Sequence, residues 1–280
     1  MKDALAKSTY MSGYSPSEFL IDYTDLHFTL GHEATTVVAR LTIKRNPLIA
    51  ANGNNAALVL DGSPNIELKS VKLNGKPLSS DCYLREPESL TIWGVTDSSV
   101  IETVVSIEPE KNTSLNGLYK SRKMYCTQCE AEGFREITFY LDRPDVLSEF
   151  TTTIIAEKVE YPVLLSNGNQ VSSKDLENGN HMVTWHEPFR KPSYLFALVA
   201  GDLTVVEDEY LTGGGRHVAL KIFVEAKDIN KCDHAMLSLK KAMWWDEEAY
   251  GREYDLDTFM IVAVSYTHLR AHETLRYLVC

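Results

Sequence analysis

Residues 126–135 read CTQCEAEGFR and gather several side chains capable of chemistry. Cys126 and Cys129 stand at the spacing of a zinc knuckle or a redox pair, interleaved with Gln128, Glu130 and Glu132. A redox pair expects a thioredoxin-like setting, with the first thiol at a helix N-terminus where its pKa is lowered. Here strand-like sequence surrounds it. A structural zinc site needs four ligands, and the remaining candidates, Cys82 and Cys232, stand far away and singly. Buried, inert thiols are the simpler reading. The carboxylates have two readings. Alternate residues of a strand share one face, and that face can simply be solvated. Alternatively, Gln128 and Glu130 point into one cleft and together bind a ligand cation. Periodicity alone does not choose between them.

Two further patterns invite metal chemistry. His268 and His272 are four apart with Glu273 adjacent, but the metalloprotease pattern sets its glutamate directly after the first histidine and between the two. HETLR carries Arg276 where the second histidine belongs. His32-Glu33 lies in an expected hairpin turn and has no second histidine either. Both are read as chance matches.

The elements that must position these residues are mostly strands. Leu26, Phe28 and Leu30 alternate with polar residues, GHEA turns the chain, and Val37, Ala39, Leu41 and Ile43 alternate again. That is a hairpin with one buried face. Ile66, Leu68, Val71 and Leu73 lead to Asn74-Gly75, a pair that tolerates positive φ in a tight turn. Ile101, Thr103, Val105 and Ile107 repeat the alternation. ITFYL, FTTTIIAEK, YPVLLSNGN, HMVTWHEPF and SYLFALVAGDL continue it to residue 202, with Asn-Gly pairs and prolines at the corners. Short strands with frequent turns imply a layered all-β domain, a sandwich or saddle.

Beyond this the pattern changes. HVALKIFVEA reads as a strand, and Ala235, Met236, Leu239, Ala242 and Met243 fall at helical spacing, with Asp228 or Asp233 as the cap. TFMIVAV reads as a buried strand. Strand, helix, strand begins an α/β unit, so a domain boundary is expected near residue 202, dividing 1–202 from 203–264. Residues 265–280, with the string THLRAHET resembling a translated sequencing adapter, are read as a non-native tail.

The whole chain bounds the function. Its 280 residues are 44% apolar and 24% charged, the balance of a soluble globular protein. With 28 basic against 39 acidic residues, the net charge of −11 argues against nucleic acid or anionic lipid as a partner and favours a cationic ligand group. No secretory signal or membrane span is apparent, and five cysteines suit reduced thiols, so the expected compartment is the cytoplasm. NTS at Asn112 is read as a turn.

Three long strings carry a resemblance: CTQCEAEGFREITFYLDRPDVLSEFTTTIIAEKVEYPVLLSNGN, HEPFRKPSYLFALVAGDL and KKAMWWDEEAYGREYDLDTFMIVAV. From about residue 14 to 264 the chain resembles the bacterial aminopeptidase N family, zinc exopeptidases of the gluzincin class. The resemblance implies a mainly β chain, an N-terminal β-saddle followed by the incomplete start of a thermolysin-like α/β catalytic domain. It also implies that Gln128 and Glu130 help bind the free amino terminus of a peptide substrate. To cleave only the first peptide bond, such an enzyme must hold the α-ammonium at a set distance from its metal, and a carboxylate suits that cation.

The family's Gly-Ala-Met-Glu-Asn segment, His-Glu-x-x-His helix, distal glutamate ligand and tyrosine are absent from this sequence. The expectation is therefore an amino-terminal fragment, with no catalytic residue and no zinc ligand of its own. The parent enzyme would bind zinc and act on peptides with free amino termini; this chain is expected to be inactive. A non-catalytic β module that binds peptide amino termini is the rival.

Overall fold

A computed structural model describes residues 11–49 and 57–263. The expected tail, with His268, His272 and Glu273, lies outside the described residues. In chain order the strands are β1 (Phe19–Thr29), β2 (Thr35–Arg45), β3 (Leu58–Asp61), β4 (Glu67–Leu73), β5 (Lys76–Pro77) and β6 (Tyr83–Glu86). Next come β7 (Ser89–Ile92), β8 (Ser98–Ile107), β9 (Gly117–Ser121), β10 (Met124–Gln128), β11 (Ser148–Glu157) and β12 (Val163–Ser166). The last are β13 (Asn169–Asp175), β14 (Asn180–Lys191), β15 (Leu198–Gly201), β16 (Thr204–Leu211), β17 (His217–Val224) and β18 (Thr258–Ala263), with one α-helix among the described residues, α1 (Asp233–Tyr250). The fold is mainly β.

The β1–β2 hairpin sets the frame. Leu26 pairs with Ala39 and Phe28 with Val37, and all four side chains are fully buried. A one-residue slip would turn each of them to solvent, so burial fixes the register. Around it an eight-stranded sheet forms in the order β13-β14-β11-β1-β2-β8-β4-β5, with β1 and β11 parallel. A four-stranded sheet, β12-β15-β10-β9, and a three-stranded one, β3-β7-β6, share its apolar core. Phe28, Phe134, Tyr140, Phe150 and Phe196 meet there, with ring centroids 4.8–6.2 Å apart.

The turns follow the residue types. Asn74 (φ 50°) and Gly75 (φ 77°) both adopt positive φ between β4 and β5. Gly168 (φ 87°) leads into β13, where a Cβ would lie 2.1 Å from the His186 carbonyl oxygen, so only glycine fits. Asn112 makes its expected turn, accepting from Ser114 Oγ at 2.8 Å and from the Leu115 N–H at 3.2 Å.

ITFYL departs from the strand expected of it. Tyr140 alone bridges to Asp61, and the Ile137 and Thr138 amides return to the Phe134 carbonyl. Residues 137–142 are all buried, so an apolar run enclosed on every side had imitated a strand.

A further sheet, β16-β17-β18, carries α1. Met236, Leu239 and Met243 of α1 pack with Val218, Leu220, Ile222 and Val224 of β17. The helix is capped by Cys232 without a side-chain bond, rather than by Asp228 or Asp233. Asp228 sits in the preceding 3-10 turn and pairs with Lys231, while Asp233 is the first helical residue. Gly251 (φ 61°) closes its C-terminus. β18 is half-buried rather than buried: among the described residues it pairs with β17 alone. Phe259 and Ile261 face the α1 cluster, while Met260 and Val262 reach the main core.

At the end of β14, the Lys191 ammonium is buried 3.8 Å above the Phe150 ring with no hydrogen-bond partner. Desolvation lowers its pKa to about 8, with Glu187 opposing the shift. An unfolded lysine titrates near 10.4, so the unfolded chain binds more protons between those values and stability rises with pH across that window. The ring face favours the charged form and reduces the gain to roughly 1–3 kcal/mol. Denaturant midpoints of the native chain are expected to rise from pH 7.5 to 10, and Lys191→Met to flatten that slope; equal slopes would refute the assignment.

Candidate functional site

β10 runs inside the four-stranded sheet, paired with β9 on one side and β15 on the other. Its last pair is Gln128 with Gly117. Thr127 Oγ1 accepts from the Leu198 N–H at 2.9 Å and fixes that end of the strand. The chain then turns: Cys129 is buried, and its carbonyl accepts from the Gly133 N–H at 2.8 Å. A Cβ on Gly133 would lie 2.3 Å from the Gln128 carbonyl oxygen, so the tight return needs glycine. Gly117 (φ 72°) nests against it, where a Cβ would come within 3.0 Å of the Gly133 oxygen.

Glu130 stands exposed at the tip of this turn, and the Glu130–Ala131 peptide is cis. Gln128 is half-buried, and its Nε2 donates to the Glu130 carbonyl oxygen at 3.3 Å. The structure thus brings the two residues together, though not as alternate positions of one strand, because β10 ends at Gln128. Among the described residues the Glu130 carboxylate has neither hydrogen bond nor ion pair. Glu132 differs: its carboxylate lies 3.4 Å from Arg135.

Arg135 locks the base of the turn. Its backbone N–H and Nε donate to Asp142 Oδ2 at 3.1 and 3.0 Å, and its NH2 group to the Asp142 carbonyl at 2.9 Å. Asp142 is buried; its Oδ1 accepts from Ser193 Oγ at 2.5 Å, and its own N–H donates to Asp61 Oδ2 at 3.0 Å. Glu136 completes the anchor by accepting from Ser63 Oγ at 2.5 Å. Sequence reasoning missed this network, whose members lie too far apart in the chain to form a motif.

The thiols do not join the site. Burial pushes both Cys126 and Cys129 above the ordinary thiol range, which keeps them protonated, whereas metal binding and exchange need the thiolate. Among the described residues, the one group of three histidine, cysteine or acidic side chains within ligand reach of one another is His32, Glu157 and Glu160, none of which belongs to this turn. The residues around Gln128 and Glu130 therefore do not fit a catalytic zinc ion. Near β15, a cavity of about 260 Å³ separates the four-stranded sheet from β18 and is lined by Asn167, Glu187, Val199, Tyr254 and Met260. Burial, with Glu187 adding, pushes the Tyr254 phenol up to about 12.

Known proteins resemble this chain in sequence and fold. The Peptidase M1 N-terminal domain matches residues 21–195. Aminopeptidase N of Haemophilus influenzae is 46% identical over 273 residues, 96% of this chain and 30% of that protein. Aminopeptidase N of Escherichia coli is 45% identical over 95% of this chain and 30% of its own length. The chain thus spans under a third of the length of these two relatives. Among solved structures, aminopeptidase A of Legionella pneumophila, in complex with aspartic acid, superposes with a TM-score of 0.85 at 36% identity, covering 91% of this chain and 30% of that one. An M1 zinc metallopeptidase of Deinococcus radiodurans shares the fold, with a TM-score of 0.74 at 14% identity, over 91% of this chain and 58% of its own. The chain belongs to the peptidase M1 family, and residues 21–195 correspond to its N-terminal domain.

Proposed function

We propose that this chain is the amino-terminal part of a cytoplasmic, zinc-dependent aminopeptidase that removes amino-terminal residues from peptides. In this reading residues 1–202 form the β-saddle domain and residues 203–264 begin the thermolysin-like catalytic domain. The zinc of the complete enzyme would be held by residues outside this chain. What this chain supplies is the grip on the substrate's α-ammonium, by the Glu130 carboxylate with Gln128 beside it.

One observation supports that grip above the others. In a turn where Glu132 pairs with Arg135 and Asp142 is saturated with donors, the Glu130 carboxylate is left without a partner among the described residues. A ligand ammonium would complete it, and the locked base of the turn would hold the charge at a fixed position. Glu130 acts in this scheme as a ruler for the amino terminus and not as the chemical base.

In a complete enzyme carrying this segment, Glu130→Gln is expected to weaken peptide binding by about 2–5 kcal/mol, roughly 30-fold or more, with zinc content unchanged. Unchanged affinity would sink the assigned role. The 280-residue chain by itself is expected to give no turnover of aminoacyl substrates, with or without added zinc. Turnover that a chelator abolishes would overturn the assignment of the zinc ligands to residues outside this chain.

A further inference from the structure

The structure gives His32 two partners that its sequence neighbourhood conceals. His32 lies in the turn between β1 and β2, with its side chain 66% exposed. Its Nε2 stands 3.2 Å from Glu160 Oε2 and 3.9 Å from Glu157 Oε2, and the three ligand atoms lie within 4.8 Å of one another. A first-row divalent ion bound at about 2.0–2.2 Å sets neighbouring ligand atoms roughly 3–3.6 Å apart. Rotations of exposed side chains by an ångström or less would close that shell.

The backbones carrying these ligands are already fixed. The Leu30 N–H donates to the Ile155 carbonyl at 2.9 Å, and Tyr125 Oη to the Gly31 carbonyl at 3.0 Å, on either side of the hairpin's entry. The Tyr161 N–H donates to the Glu157 carbonyl at 2.9 Å and folds the turn so that Glu160 returns beside Glu157. Gly31 packs so tightly that a Cβ would lie 2.7 Å from the Ala34 oxygen. The side chains converge because the parallel pairing of β1 with β11 brings the two turns together.

Charge favours a cation at this point. Neither glutamate pairs with a lysine or arginine among the described residues. The neighbouring cations are engaged elsewhere, Lys158 with Asp175 at 2.7 Å and Lys120 with Glu110 at 2.6 Å. With the imidazole neutral, two unneutralised carboxylates and one nitrogen face a common point. Mixed nitrogen and carboxylate ligands suit zinc and its neighbours in the first transition row.

We propose that His32, Glu157 and Glu160 form a surface site for a divalent transition-metal ion, with water completing the shell, which ties the β1–β2 turn to the turn after β11. The test uses the 280-residue chain stripped with a chelator and titrated with Zn²⁺ at pH 7.5. Bound zinc is read by equilibrium dialysis and stability by thermal denaturation. One equivalent is expected whose affinity falls at least tenfold in both His32→Ala and Glu160→Gln, while His268→Ala/His272→Ala retains it. Zinc should raise the melting temperature of the native chain and not that of the first two variants. Equal zinc affinity and equal thermal shift in native chain and Glu160→Gln would overturn the proposal, as would failure to bind zinc at millimolar concentration. Glu160→Gln is nearly isosteric and decides the matter if His32→Ala folds poorly.

Discussion

The buried carboxylate of Asp142 is the constraint from which the geometry of the candidate site follows. An ionised group cut off from water costs several kcal/mol unless donors surround it, so the segments that supply those donors must be in place. They come from two directions, Arg135 after the β10 turn and Ser193 ahead of β15, while the backbone N–H of Asp142 donates in turn to Asp61 at the end of β3. The eight-stranded sheet provides the apolar floor beneath them through Phe28 and Phe150, with Phe196 stacked on Phe28 and Phe134 packed edge-on to Phe150. A polar knot above an aromatic floor thus fixes where the turn after β10 begins and ends. The glycines at 117 and 133 let the backbone close between those points.

This arrangement separates two glutamates that composition alone would treat alike. Glu132 is three residues from Arg135 in a helical turn, near enough for an ion pair. Glu130 is two residues further out, at the apex, where no side chain among the described residues pairs with its carboxylate. The asymmetry arises from a difference of two positions, and it leaves an uncompensated charge at a single rigid point.

Legibility in the sequence tracked the number of faces that each segment buries. The β1–β2 hairpin and β8 were readable because one face is buried and the other wet, which writes a period of two into the residues. Residues 137–142 carried no such record, being enclosed on all sides. β18 misled in the opposite sense: a continuous apolar run suggested full burial, yet each face is only partly covered. At the site, the residues Gln128 and Glu130 came from family resemblance, while the spacing argument assumed a strand that stops two residues short of Glu130. The Asp142 knot and the His32 cluster could not be read at all, since each joins residues brought together by pairing across the fold. His32 drew notice through its neighbour Glu33, whereas its structural partners lie more than a hundred residues away.

The enclosure of Cys126 and Cys129 has a consequence for how the molecule's motions can be observed. Both thiols are covered and held protonated, so an alkylating reagent meets them only when the sandwich parts locally. Cys129 lies directly under the turn that presents Glu130, and Cys126 lies within the strand that leads to it. Their labelling rates therefore act as two clocks set into one structural unit, one timing the release of the turn and the other the fraying of the sheet behind it. If Cys129 ran faster than Cys126, the turn would open on its own; matched rates would mean that turn and sheet part as one body.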